Sequence, residues 1–242
     1  MSECLFLAGA SGAIGRRVAP LFVAAGWRVV GTTRAPEKAR LLRELGVEPV
    51  VVDVFDASAL HDALAAARPQ VVVHQLTDLP PGLDPARMAE AAQRNARIRD
   101  EGTRNLVAAA VAAGARRLLA QSIGWAYAEG PLPHAEDDPL DTDFDGPRGV
   151  TLRGVASLER QVLEAPLDAI VLRYGRLYGP GTGFDAAAGA APIHIDAAAH
   201  ATALALARGT PGIYNIAEDD GTLACDKAQR VLGWSAGSVV AQ

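Results

Sequence analysis

The chain has 242 residues, a net charge of −5 and a composition that is 50% hydrophobic. That length fits one large α/β domain, the apolar fraction excludes a disordered chain, and the mild acidity excludes the strongly basic face of a nucleic-acid binder. Cys4 and Cys225 lie far apart with no partner ligands nearby, which excludes a disulfide scaffold and a cysteine zinc site, and no His/Asp/Glu set has metal spacing.

The elements alternate along the chain. Cys4–Ala8 reads as a buried strand, followed by a helix over Ala13–Ala25 that Gly26 stops. Arg28–Thr33 is a second strand, and Pro36–Leu45 a helix with proline in its first turn. Pro49–Val54 is a third strand, and Ser58–Ala67 a helix capped by Asp56 or Ser58. A fourth strand covers Gln70–Leu76, and one long helix covers Pro85–Ala113 before Gly114. Arg117–Ser122 and Ala169–Tyr174 are the fifth and sixth strands, on either side of a helix at Val150–Glu164. The tail holds a helix at Asp196–Ala207 with Asp196 as its cap, a strand at Gly212–Ala217 and a helix from Leu223 to Leu232. Continuous apolar strands separated by helices predict a Rossmann-like, doubly wound parallel sheet in a single domain over 1–242. Two stretches, 123–148 and 178–192, break the alternation after strand ends and are expected to be substrate-side loops. No apolar run reaches the roughly 18 residues of a membrane span, and no basic segment precedes the first apolar run. A cytoplasmic location without a membrane partner is therefore expected.

The densest signal is Gly9-Ala10-Ser11-Gly12-Ala13-Ile14-Gly15, between the first strand and the first helix. Glycines there let the chain turn and a pyrophosphate approach the backbone. The opening of the helix, at Ala13 and Ile14, offers unpaired N–H groups to that anion. Ser11 can add its hydroxyl. The strand before and the helix after are the context that makes such a loop a dinucleotide site. NAD sites place an acid at the end of the second strand, whereas this chain has Thr33-Arg34 there and Lys38 just beyond. A guanidinium attracts a 2′-phosphate, so NADP is expected over NAD. Asp53-Val54 closes the third strand, where the carboxylate can meet the adenine amino group or cap the next helix.

Further pieces are EGTRNLVAAA at 101–110, LLAQSIGWAY at 118–127, LRYGRLYGPG at 172–181, HIDAAAHATALAL at 194–206 and GIYNIAEDDG at 212–221. With GASGAIG at 9–15 they resemble an extended or atypical short-chain dehydrogenase/reductase of the NAD-dependent epimerase/dehydratase type. The resemblance implies that the HQLT segment with Leu76 lines the adenosine half of the cofactor. It implies that Tyr174 passes under the nicotinamide. It also implies a serine or threonine after the fifth strand, and a Tyr-x-x-x-Lys pair that relays a proton and holds the ribose. Aligned on Glu159, that pair falls on Thr151 and Val155, and none of the four tyrosines has a lysine four residues on. Ser122 lies one place before the family's serine position, which is Ile123. Tyr174, Tyr127 and Ser122 are the remaining candidate proton donors, with Ser122 and Tyr174 also beside the cofactor. Arg153 is a candidate for the lost positive charge, set against a solvated helix face. His74 is expected to be a buried, hydrogen-bonded histidine. Arg87, Arg94, Arg97, Arg99 and Arg104 on the long helix could bind an anionic substrate or form a solvated face. Relatives dimerise through the helices that correspond to 85–113 and 150–164, and their larger C-terminal substrate region is reduced here to 193–242. The expected function is an NADP(H)-dependent oxidoreductase or epimerase-like enzyme for a small substrate. The alternative is a noncatalytic NADP(H)-binding regulator or redox sensor.

Overall fold

A computed structural model describes residues 3–237. Its sheet has seven strands, all parallel: β1 (Cys4–Ala8), β2 (Arg28–Thr33), β3 (Glu48–Val51), β4 (Val71–His74), β5 (Arg117–Ile123), β6 (Asp168–Tyr174) and β9 (Gly212–Ile216), in the order β3-β2-β1-β4-β5-β6-β9. The order reverses between β1 and β4, which opens a crevice at their carboxyl ends. The doubly wound reading therefore holds.

Alternation along β1 feeds two cores. Leu5 and Leu7 face one layer, with Phe22 of α1 (Gly15–Ala24), Leu42 of α2 (Ala39–Glu44) and the alanines of α7 (Ile195–Arg208). Phe6 and Ala8 face the other, with Leu60 and Leu64 of α3 (Ala57–Ala67), Leu106 of α5 (Thr103–Ala112) and Leu158 of α6 (Gly146–Leu163). Side chains of period two, covered by helices on both faces, give a sheet whose first strand, CLFLA, is wholly apolar.

Several boundaries differ from the sequence reading. The long helix is broken into α4 (Met88–Arg97), a π-helical turn at Ile98–Gly102, and α5. Gly102 lies in close contact there: an added Cβ would come within 3.0 Å of Val54 Cγ1. Pro36–Lys38 forms only a 3-10 turn before α2, and α1 begins at Gly15 because the preceding glycine loop is not helical. Gln70 stays outside β4 and uses Oε1 to accept from Cys4 N–H at 2.6 Å. The cap of α7 is His194, whose Nδ1 accepts from Asp196 N–H, rather than Asp196. The last helix shrinks to a turn whose π-helical part is Ala228–Leu232. Two short strands, β7 (Arg176–Tyr178) and β8 (Pro192–His194), pair in a small second sheet that period reading did not predict. The small residues of α4 and α6 serve contacts within the chain. An added Cβ on Gly154 would lie 2.9 Å from Ala96 Cα, so these helices cross at near-backbone contact.

Candidate functional site

A cavity of about 1020 Å³ lies over the carboxyl ends of β1, β2, β4, β5 and β6. Its first wall is the glycine loop. Gly9 sits at φ +86°, and a Cβ there would fall 2.6 Å from the Gln75 carbonyl oxygen, so only glycine fits between β1 and β4. Gly15 does not line the cavity. A Cβ on it would collide with the Gly9 carbonyl, so its part is to close the helix onto the strand. Gly12 does line the cavity, donates its N–H to the Gly9 carbonyl at 3.0 Å, and leaves the opening of α1 free of any side-chain cap. Ser11 lines it too, with its hydroxyl on Thr33 Oγ1 at 3.0 Å, which ties the loop to the end of β2.

The predicted cofactor residues converge on this wall. Gly9, Ser11, Gly12, Ala13 and Ile14 line the cavity, as do Thr33, Arg34, Val54, Leu76, Ser122 and Tyr174. Asp53 does not. Its carboxylate accepts from Phe55 N–H at 3.0 Å in a local turn, and Val54 and Phe55 form the wall instead. Arg34 is half-exposed at the rim, 3.3 Å from an Asp78 oxygen, and Arg94 reaches the other oxygen at 3.2 Å. Lys38 completes this basic rim.

The predicted proton donors are less available. Tyr127 is buried outside the cavity lining and donates to Asn215 Oδ1 at 2.6 Å. Ser122 donates to Glu159 Oε1 at 2.6 Å, and Glu159 also takes Arg173 through two hydrogen bonds. Tyr174 lines the cavity, but its hydroxyl is bonded to Thr202 Oγ1 at 2.6 Å, and burial pushes its pKa up to about 12. Thr151 lines the cavity and donates backward to the Pro147 carbonyl at 3.1 Å. Val155 is buried against Ile123, Ala126 and Leu152. Where a tyrosine and a lysine are implied, the wall is thus a satisfied hydroxyl and an apolar cluster. Arg153 turns away to the Thr142 and Phe144 carbonyls, fastening the loop before α6.

Of the two loops, 178–192 covers the cavity with Tyr178, Gly181, Thr182 and Phe184. From 123–148 only Ile123 and Trp125 reach it. The rest folds against the β6–β9 side, where Glu136 takes the Asn215 N–H and the Arg173 Nη1. His74 matches its reading. Its Nδ1 accepts from Leu76 N–H, its Nε2 meets Thr103 Oγ1 at 3.0 Å, and burial lowers its pKa to about 4. Gln75 and Tyr178 are among the cavity residues that escaped singling out, and Arg99 was one arginine among five. The signal that would have separated Arg99 is Gly102, a helix-interior glycine that marks the π turn beside it.

The glycine loop, the reversal point and the cavity over it fit a bound dinucleotide. The NAD dependent epimerase/dehydratase family matches residues 5–211. The chain belongs to that family. It is therefore a protein of the nucleotide-binding oxidoreductase/epimerase class, and a nicotinamide cofactor follows from the family. One relative is the 3-diazoavenalumate denitrifying reductase of a Streptomyces species, 39% identical over 89% of this chain and 76% of its own. Among solved structures, the UDP-glucose 4-epimerase of Thermotoga maritima with UDP-glucose superposes with a TM-score of 0.78 at 18% identity, covering 97% of this chain and 94% of its own. The Bordetella bronchiseptica enzyme WbmG with NAD gives 0.71 at 19% identity, covering 98% and 89%. These last two likenesses concern the fold. Among the described residues no helix is long and apolar enough to cross a membrane, and no group of three or more His, Cys, Asp or Glu could hold a metal ion.

Proposed function

We propose that this family member is an NADP(H)-dependent reductase of a small substrate whose reduction needs no proton from a tyrosine–lysine pair. The observation that carries the reading is the wall at Thr151 and Val155, which offers no acid of suitable strength beside the cavity. A carbonyl accepting hydride becomes an alkoxide and requires such an acid, at a cost of about 10²–10⁴ in rate when it is missing. A diazo acceptor makes no such demand. Hydride adds to the terminal nitrogen of an arenediazonium to give a neutral aryldiazene; its carbon–nitrogen and N–H bonds then break, the N–H hydrogen passes to the aryl carbon and dinitrogen leaves, so no proton is drawn from outside the substrate. The diazo reductase relative supports this substrate class for the chain.

Bound NADPH supplies the hydride. The chain's residues hold and enclose it. Gly9 and Gly12 give the pyrophosphate room against the backbone, and the start of α1 presents N–H groups to it. Arg34 and Lys38 offer positive charge to the 2′-phosphate, which favours NADP over NAD. Phe184, Leu177 and Trp125 add apolar surface to the cavity lining. Outer faces of the α5 and α6 regions, with Val111 and Leu163 exposed, are a candidate homodimer surface.

The test is NADPH consumption with a carboxylated arenediazonium salt beside a panel of aromatic aldehydes, with dinitrogen measured. Turnover of the diazonium salt with dinitrogen release, and none of the aldehydes, is expected. Aldehyde reduction that falls in Thr151→Ala would restore that helix as catalytic and overturn the reading. NADP binding without any turnover would point instead to a regulatory binder.

A further inference from the structure

The five arginines of the α4–α5 region have separate fates. Arg97 pairs with Glu101 at 2.7 Å and Arg104 with Asp100 at 2.9 Å, each one turn apart on the surface. Arg94 pairs with Asp78 and Glu90. Arg87 faces solvent. Arg99 differs from all four. It lies in the π turn, lines the cavity, and pairs with no carboxylate among the described residues; its Nη1 is buried without a hydrogen-bond partner. Burial alone lowers its pKa, to about 10. It stays a cation at neutral pH. A buried, uncompensated cation destabilises the protein that carries it.

A second buried atom on the same cavity also lacks a partner, Oε1 of Gln75. The two reach the cavity from different sides: Gln75 Nε2 donates to the Tyr174 hydroxyl, itself bonded to Thr202 of α7, whereas the Arg99 charge bears on His74, whose Nε2 meets Thr103 of α5. The cavity thus holds an unpartnered cationic donor at the π turn and an unpartnered amide acceptor beside Tyr174, and the apolar side chains of Trp125, Ile123, Leu177 and Phe184 line it as well.

We propose that Arg99 receives the carboxylate of a small apolar acid bound beside the dinucleotide. The inference rests on the reductase reading above and names its substrate class. The dinucleotide's own anions have receptors elsewhere: the loop and α1 for the pyrophosphate, Arg34 and Lys38 for the 2′-phosphate. A guanidinium suits a carboxylate because its donors form a planar fork matching two oxygens. Its cost in the free protein is offset only in the complex, a common trade between stability and function.

Calorimetric titration of trans-cinnamate and cinnamamide into the full chain, with and without saturating NADP⁺, tests the assignment. The wild type should bind cinnamate in preference to the amide. Arg99→Met should abolish that preference and weaken cinnamate by roughly tenfold or more, the loss of one hydrogen bond to a charged group. Its NADP⁺ affinity should hold, and its ligand-free melting temperature should rise as the unpaired charge is removed. Arg99→Lys should keep part of the preference. A wild type that ignores cinnamate, or an Arg99→Met protein that binds it equally well, overturns the proposal. A loss of NADP⁺ affinity in Arg99→Met with cinnamate unaffected reassigns Arg99 to the cofactor and overturns it as well. Failure of the wild type to bind NADP⁺ would count against the reductase reading alone, because cinnamate titrated into the cofactor-free protein still reads Arg99.

Discussion

Two arginines, Arg173 wholly buried and Arg99 with a buried Nη1, stand in two regions of this molecule, and their surroundings are opposite. Arg173, near the end of β6, is 3% exposed and fully engaged. Glu159 takes its Nε and Nη2 at 2.9 and 2.7 Å, the Glu136 carbonyl takes Nη1, and the Tyr127 ring lies under it at 4.8 Å. Burial pulls its pKa down, but the bonds and charge of Glu159 outweigh that and raise it. Arg99, in the π turn, has no acid, and burial lowers its pKa unopposed. The same residue type thus builds the protein in one place and stands ready for a ligand in the other. Partnering separates the two roles, because both residues are desolvated.

Breaking the Arg173 region should give the largest effect. Glu159→Leu leaves a buried guanidinium unpaired and removes the acceptor of Ser122, so a loss of about 3–5 kcal/mol in denaturant unfolding is expected. The double change Glu159→Leu with Arg173→Met should recover most of that loss, since neither charge remains buried. Arg99→Met should move stability the other way. A Glu159→Leu protein as stable as the wild type would erase the contrast between the two regions.

The next effect is carried by His74, which meets Thr103 through Nε2 and feels the charge of the free cation. Its pKa is about 4 in the folded chain against an ordinary 6.5, mainly through burial and then through Arg99. Above 6.5 it is neutral in both states and pH has no leverage on stability through it. Below 6.5 the unfolded chain binds the proton first, so stability falls until about 4 and then levels. The gap corresponds to about 3 kcal/mol, read as a melting temperature that declines across that window. His74→Gln should flatten the decline. Arg99→Met should shift its lower limit upward, because one of the two causes is gone. An unchanged acid limb in both variants would mean that His74 is not the group titrating.

Much of the cofactor half is legible in the sequence for a reason particular to backbone geometry. Gly9 has to be glycine because its φ is positive and β4 passes too close for a Cβ, and that requirement shows as a letter at a fixed place. The substrate half hides its logic in direction. Ser122 and Tyr127 are correct residue types at a strand end, yet each is turned into the network around Glu159 and Asn215 by partners 37 and 88 residues away in sequence. Asp53 likewise spends its carboxylate on its own turn. Arg99 was one of five in an apparently continuous helix, and only the π turn at Ile98–Gly102 sets it apart. The absence of the tyrosine–lysine pair was readable. What replaces it depends on side chains that the segment after β4, the π turn and loop 178–192 bring to the cavity.

The smallest expected effect concerns a third cation at the other end of the cavity, and it sharpens what burial does. Arg34 is half-exposed and shares Asp78 with Arg94, so a 2′-phosphate must compete with that carboxylate and with water. Arg34→Gln should weaken NADP⁺ by about 1.5 kcal/mol, the lower end for a hydrogen bond to a charged group, and leave NAD⁺ unchanged. Asp78→Asn should strengthen NADP⁺ by releasing the guanidinium. The two cations then part in salt. Exposed charges are screened over about 8–10 Å at ordinary ionic strength, so the Arg34 effect should shrink as salt is raised. The Arg99 effect on a carboxylate should persist, since its guanidinium is screened by protein rather than by ions. Equal affinity of the wild type for NAD⁺ and NADP⁺ would remove Arg34 from the argument. A carboxylate affinity as salt-sensitive as that for NADP⁺ would place Arg99 with the exposed cations and remove its contrast with them.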